Sequence, residues 1–169
     1  AILKTSDFDR ALQIVERIPS DLNKSYALRD ISNAILKTGD FDRALQIVER
    51  IPNNLNKSYA LCDISKFLVI DGSNQKIVNF LSIALPAMDP DMTKIDLIIG
   101  FKNRLSDEQL ISFINMVLPK MNNENYINEL ISGVKDRLSD EQLIGFIDKV
   151  LPKMSDEYFI NELISGVKV

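Results

Sequence analysis

Apolar residues in this 169-residue chain fall three and four apart almost throughout, and the same spacing returns again and again. Five prolines mark the recurrence: Pro19, Pro52, Pro86, Pro119 and Pro152. Five positions before each stands an aliphatic residue: Ile14, Ile47, Leu81, Ile114 and Ile147. One position before stand Ile18, Ile51, Leu85, Leu118 and Leu151, and eight before stand Ala11, Ala44, Val78, Ile111 and Ile144. A further column, twelve after the proline, holds Ile31, Ile64, Ile98, Ile131 and Ile164. Offsets of three and four put the columns before each proline on one helical face. Apolar-polar alternation of the strand type never persists. The pattern predicts two amphipathic helices per proline, with the proline between them.

The recurrence extends to the letters. Residues 1–33 return as 34–66 with five changes: Ser6/Gly39, Ser20/Asn53, Asp21/Asn54, Arg29/Cys62 and Asn33/Lys66. Residues 104–136 return as 137–169 with eight changes, and 71–103 keeps the phenylalanine, the Leu-Pro-x-Met, the glycine and the lysine of that second type. The proline spacings are 33, 34, 33 and 33, and Asp71-Gly72-Ser73 absorbs the extra residue where the two types meet. A period of this length marks a stacked repeat architecture. One hairpin cannot cover its own apolar stripe; stacked copies cover one another, with axes roughly 8–10 Å apart. The expected fold is all-α, about five antiparallel helix-pair repeats of 33 residues in a single domain over 1–169. Residues 1–70 are of the first type and 71–169 of the second. Boundary signals agree. Ser106 with Gln109 and Ser139 with Gln142 read as capping boxes, in which each side chain pairs an orphan amide at the helix start. Asp89-Pro90 reads as N-cap and first helical position, and Ser155-Asp156-Glu157 opens the last helix with two acids at its positive end. Gly39, Gly133 and Gly166 lie near the ends of second helices, where a turn is needed.

At residues 25–51, SYALRDISNAILKTGDFDRALQIVERI, the chain resembles a tetratricopeptide repeat. Gly39, Phe41 and Ala44 match that family's turn and second-helix opening. Leu28 and Ser32 stand where the family has an aromatic and a small residue, and the proline comes about four residues early. From residue 71 on the signature is replaced by motifs such as DRLSDEQL, and the likeness is to tetratricopeptide or HEAT architecture only. The resemblance implies a right-handed α-solenoid that binds a peptide or helix along a concave surface. That surface is made by the helix after each proline. Groove-facing positions would then be seven, ten and fourteen after the proline, which gives as partner-binding candidates Tyr26, Arg29, Asn33, Tyr59, Cys62, Lys66, Tyr126, Glu129, Phe159 and Glu162. Two of the five changes between the first two repeats, Arg29/Cys62 and Asn33/Lys66, fall on these positions.

Two readings fit the aromatic column at position seven: a binding stripe of large, low-entropy side chains, or the flank of the core. The position-ten column runs from basic to acidic along the chain. It reads either as a charge gradient that orients an extended partner or as a solvated face. Some tetratricopeptide proteins clamp a terminal carboxylate, but Asp63 would repel one here, and Thr93 and Leu97 stand where basic groups are needed.

Composition narrows the rest. The net charge is −4, and summed along the repeats it runs 0, +1, −1, −2 and −2, so no basic half exists to grip nucleic acid. With one cysteine, Cys62, and no histidine, intramolecular disulfides, Cys/His zinc sites and histidine-based triads are excluded. The pairs Asp107-Glu108 and Asp140-Glu141 sit in first helical turns, where acids serve the helix dipole. Asn23-Lys24-Ser25 and Asn56-Lys57-Ser58 match the glycosylation acceptor pattern, which inside a duplicated block reads as incidental. No apolar run reaches the ~18 residues of a membrane span. The expected protein is a non-catalytic protein-protein interaction scaffold without cofactor or metal. Its partner is a protein or peptide, not nucleic acid or membrane, and its location cytoplasmic. The alternative is a helical regulatory or docking segment of a larger enzyme or effector, since residue 1 falls inside a repeat. Neither end carries an obvious polar cap, which adds an expectation of end-to-end self-association.

Overall fold

The computed structural model describes residues 5–88 and 91–165. They are all-helical, with no strand among them. The α-helices are α1 (Thr5–Val15), α2 (Asp21–Leu36), α3 (Phe41–Glu49), α4 (Asn54–Asp71), α5 (Asn74–Ala87), α6 (Asp91–Phe101), α7 (Asp107–Val117), α8 (Glu124–Val134), α9 (Asp140–Val150) and α10 (Glu157–Ser165). Short 3-10 turns follow α6 to α9, at Lys102–Arg104, Leu118–Lys120, Lys135–Arg137 and Leu151–Lys153. The chain divides into two compact units, Ala1–Lys76 with Ala87–Asp89, and Ile77–Pro86 with Pro90–Val169.

In the first unit α2 packs on α3 and α4. Leu28, Ile35, Phe41, Ala44, Val48, Ile51, Leu61, Ile64 and Leu68 form its core. Two serines run through this packing. Ser32 Oγ donates to the Ala44 carbonyl (3.0 Å), and Ser25 Oγ donates to the Asp21 carbonyl (2.6 Å) while accepting from the Asn53 amide (3.1 Å). Of the two glycosylation-like triplets, Asn56 and Ser58 of the second are buried, while in the first Ser25 is buried and Asn23 is exposed. The turn from α2 to α3 needs Gly39, whose φ of +87° is the one positive value among the described residues.

In the second unit α6 packs on α8, and α8 on α10. The approach of α6 to α8 explains Gly133, which lies within α8 and does not cap it. A Cβ there would stand 2.3 Å from Ile99 Cδ1. Phe80 and Phe101 meet edge to face, their centroids 6.4 Å apart. Ser106 and Ser139 make complete capping boxes with Gln109 and Gln142. The Asp89-Pro90 boundary and Gly166 lie outside the described residues.

Most of the expected core columns are buried, with instructive exceptions. Ile47, Leu81, Ile114 and Ile147 are buried, but Ile14 is 59% exposed; Ile64, Ile98 and Ile131 are buried, but Ile164 is 50% exposed. In the column eight before the proline Ala44 is buried, but in the later repeats the column lies at the edge of the apolar face: Val78 and Ile111 are half-buried and Ile144 is exposed. In the later repeats its neighbours carry the core instead, namely Phe80, Phe113 and Phe146 with Ile77, Leu110 and Leu143. Pro86 lies inside the last turn of α5 rather than after it. Having no N–H, Pro86 leaves the turn before it one backbone bond short, and α5 ends one residue later.

Within each unit the repeats are tied by polar contacts between residues thirty-four apart, one more than the sequence period. In the first unit these are Asp9–Arg43, Glu16–Arg50 and Arg29–Asp63. In the second they are Lys102–Asp136, Asn115–Lys149, Asn128–Glu162 and Lys153 to the Pro119 carbonyl.

Candidate partner-binding face

Two helices of the first unit present matching stripes. On α2, Leu22, Tyr26, Arg29 and Asn33 follow one another at helical spacing; on α4, Leu55, Tyr59, Cys62 and Lys66 do the same. Leu22 (48%), Tyr26 (51%), Leu55 (54%) and Tyr59 (47%) are all exposed, an unusual state for large apolar side chains that recur at one place.

The stripes are joined by a cluster around Asp63. Arg29 donates from Nε (3.1 Å) and Nη2 (2.9 Å) to Asp63 Oδ2, and Asn33 Nδ2 donates to the same oxygen at 3.2 Å. Lys66 Nζ stands 3.5 Å from Oδ1. The Arg29 guanidinium also lies over the Tyr59 ring, 5.3 Å from its centroid, within cation–π range. Burial pushes the Asp63 carboxyl up, but the hydrogen bonds from Arg29 and Asn33 and the charges of Arg29 and Lys66 together hold it below the ordinary aspartate range. The residue expected to repel an acidic ligand is therefore already neutralised by its neighbours. Beside it opens a groove of about 470 Å³ lined by Asn33, Leu36, Lys37, Asp63, Lys66, Phe67 and Ile70. Its apolar wall ends in Ile70, 86% exposed, and Lys37 and Lys66 are exposed at its rim.

The second unit is built differently. Tyr126 and Phe159 are half-buried, and Glu129 and Glu162 are exposed. Phe159 packs edge to face against Tyr158, with centroids 5.4 Å apart. Glu162 accepts from Asn128 Nδ2 at 2.8 Å, while the Oδ1 of Asn128 is buried without a hydrogen-bond partner.

Of the expected face, the structure thus brings Arg29, Asn33, Tyr59 and Lys66 into one cluster, with Tyr26 and Cys62 on the same stripes. Cys62 is half-buried and in no disulfide. Asp63, Leu22 and Leu55 were missed. The leucines had a signal, recurrence three positions after the proline, but nothing in the repeat forces an apolar residue there to face outward. Among the described residues no three metal-ligating side chains gather, and no helix is long and apolar enough to cross a membrane. The chain matches no protein-family model, no curated protein and no solved structure.

Proposed function

We propose that the chain is a non-catalytic interaction scaffold, a right-handed α-solenoid of about five helix pairs, tetratricopeptide-like over 1–70 and divergent over 71–169, that holds a protein or peptide along the faces of its post-proline helices. One observation carries this reading: Leu22 and Tyr26 on α2 recur as exposed Leu55 and Tyr59 on α4, with Arg29 held between them by Asp63. Exposed tyrosines around an ordered arginine have the composition of interaction hot spots. The cluster is also pre-organised, so little side-chain entropy remains to be lost on binding. The thirty-four-residue ties favour a regular stack of hairpins within each unit.

The test is affinity capture with the whole chain, followed by mass spectrometry and by direct binding of whatever is retained. A double variant, Tyr26→Ala with Tyr59→Ala, should lose the retained partner by tenfold or more in affinity, a loss of about 1.4 kcal/mol or greater. Reversing Glu129 and Glu162, also on the expected groove face, should weaken it more than reversing Glu49, which the same register sends outward. Equal losses from groove and outward variants reject the assignment.

A further inference from the structure

Helices α2 and α4 open with nearly the same letters and close with different ones. Residues 33–37 read Asn-Ala-Ile-Leu-Lys, and the corresponding residues 66–70 read Lys-Phe-Leu-Val-Ile. In α2 the closing Leu36 is buried, and Lys37 after it is exposed. In α4 their counterparts are Val69, 58% exposed, and Ile70, 86% exposed. Ile70 thus stands in water where the sister helix is followed by a lysine, and it lines the groove beside Asp63. So do Lys66 and Phe67, at two more changed places. The lining combines an apolar part, Leu36, Phe67 and Ile70, with two exposed lysines, Lys37 and Lys66. Lys66 is loosely held: its side chain is 77% exposed, and Nζ stands 3.5 Å from Asp63 Oδ1. Among the described residues Asp63 is the one carboxylate of the lining, and Arg29 and Asn33 already donate to its Oδ2. Arg29, Lys37 and Lys66 against Asp63 leave a local charge of +2 in a chain of −4.

We infer that this groove holds an acidic internal stretch of a protein partner, seating one large apolar side chain on Leu36, Phe67 and Ile70 and setting the carboxylates that flank it against Lys37 and Lys66. The inference rests on the scaffold reading above and gives the partner its chemistry. The two parts of the groove do different work. Covering Ile70 and Phe67 removes apolar surface from water, which supplies affinity. The lysines steer a negatively charged segment to the site and turn away a basic one. A chain terminus is not what the groove selects, because Arg29 and Asn33 are engaged by Asp63 and offer no free pair of donors to a terminal carboxylate. Nucleic acid is the poorer occupant as well: two lysines beside an apolar wall do not make the basic track that a phosphate backbone follows. The volume of about 470 Å³ lies within the range of sites that enclose a compact group rather than a flat contact.

The probe is a fluorescent peptide, blocked at both ends, with one phenylalanine between pairs of glutamates. Its binding to the whole chain is read by anisotropy. The peptide should bind, and its affinity should fall about tenfold or more with Lys37→Glu plus Lys66→Glu and several-fold with Ile70→Ser. All three side chains are exposed, so these changes should move the Tm little. A peptide with lysines in place of the glutamates should fail on the native chain and bind the double-glutamate variant, which separates a reversed charge from a damaged fold. A peptide with serine in place of the phenylalanine should bind several-fold more weakly. No binding of the acidic peptide, equal binding of acidic and basic peptides, or no effect of Ile70→Ser overturns the proposal, as does displacement of the peptide by single-stranded RNA at equal concentration. The same variants are then carried into affinity capture. A captured partner lost with Tyr26→Ala, Tyr59→Ala but kept with Lys37→Glu, Lys66→Glu leaves the scaffold reading standing and overturns the groove. A partner kept by the tyrosine variant while the peptide still binds by these rules supports the groove and counts against the tyrosine face alone.

Discussion

The two units solve one problem with different chemistry. Both must fix the register of repeats whose apolar columns are nearly interchangeable. The first does so chiefly with cation–carboxylate pairs between helix side chains: Asp9–Arg43, Glu16–Arg50 and Arg29–Asp63. The second aims charged side chains at backbone. Lys102 Nζ donates to the Gly133 carbonyl at 2.7 Å, and Arg137 donates to the Lys102 and Leu105 carbonyls. Lys153 donates to the Pro119 carbonyl at 2.5 Å, and Glu124 accepts from the amides of Ser155 and Asp156 at 2.9 and 3.0 Å. Side-chain pairs near solvent are screened by salt and contribute little each. Charged bonds to the unpaired groups of helix ends are stronger, and costly to leave unmade. The first unit is held where pairs can be exchanged by substitution, as Arg29/Cys62 shows. The second is held at points where substitution can remove only the charged side chain, because the backbone partner is always there.

That contrast can be broken or sharpened. The largest expected effect is core truncation. Phe101→Ala in the second unit and Phe41→Ala in the first should each cost about 3–5 kcal/mol, and amide exchange should rise first in the unit that carries the change. Simultaneous loss in both would show that the units unfold as one. Next comes Gly133→Val, which forces a side chain into Ile99 and should cost about 1–3 kcal/mol by urea unfolding. Arg137→Met should cost a similar ~1–3 kcal/mol, since it strands two carbonyls, whereas Arg43→Met should cost ~0.2–1 kcal/mol. Equal losses would erase the distinction drawn between backbone and side-chain ties.

Acid should act on both units but through different bonds. Glu16 is held below the ordinary range by hydrogen bonds from Lys24 and Arg50, and Asp136 by its hydrogen bond from Lys102. Glu124 is held low by the amides of Asp156 and Ser155. Each lowered carboxyl binds its proton more weakly folded than unfolded. Its stabilisation is complete above the unfolded value, about 4, and is lost as pH falls through the still lower folded value. Melting followed from pH 6 downward should show the loss. Raising salt to 1 M should shrink the acid-sensitive contribution of Glu16 and leave that of Glu124, whose partners carry no charge. The smallest effect is a gain: Gly145→Ala in α9, where an added Cβ meets nothing within 4 Å, should stabilise by about 0.4–1 kcal/mol.

Much of this was legible in the letters, and the limits are physical. Periodicity located the helices because an amphipathic face obeys a fixed spacing, and the serine capping boxes located helix starts because their geometry is local. The proline columns found Ile47 and Ile131 in the core but placed Ile14 there too, since a repeat does not say whether a neighbour covers it. The ties at thirty-four residues were invisible for the same reason: they depend on how far one hairpin slides along the next, which a period of thirty-three does not specify. Tyr26, Arg29, Asn33, Tyr59 and Lys66, which the tetratricopeptide resemblance implied as groove-facing, lie on matching stripes of α2 and α4. Asp63 read as a source of repulsion because its neutralisation comes from a residue thirty-four positions away.

Glu124 gives the last helix a dependent beginning. Asp156 covers the amide of Tyr158, but the amides of Ser155 and Asp156 and the Ser155 hydroxyl are all held by a carboxylate that belongs to α8. The first turn of α10 is in effect templated by its neighbour. Nucleating a helix is its slowest and least favourable step, so α10 should coil only after α8 has formed and should fray whenever α8 does, giving this end of the chain a built-in order of assembly.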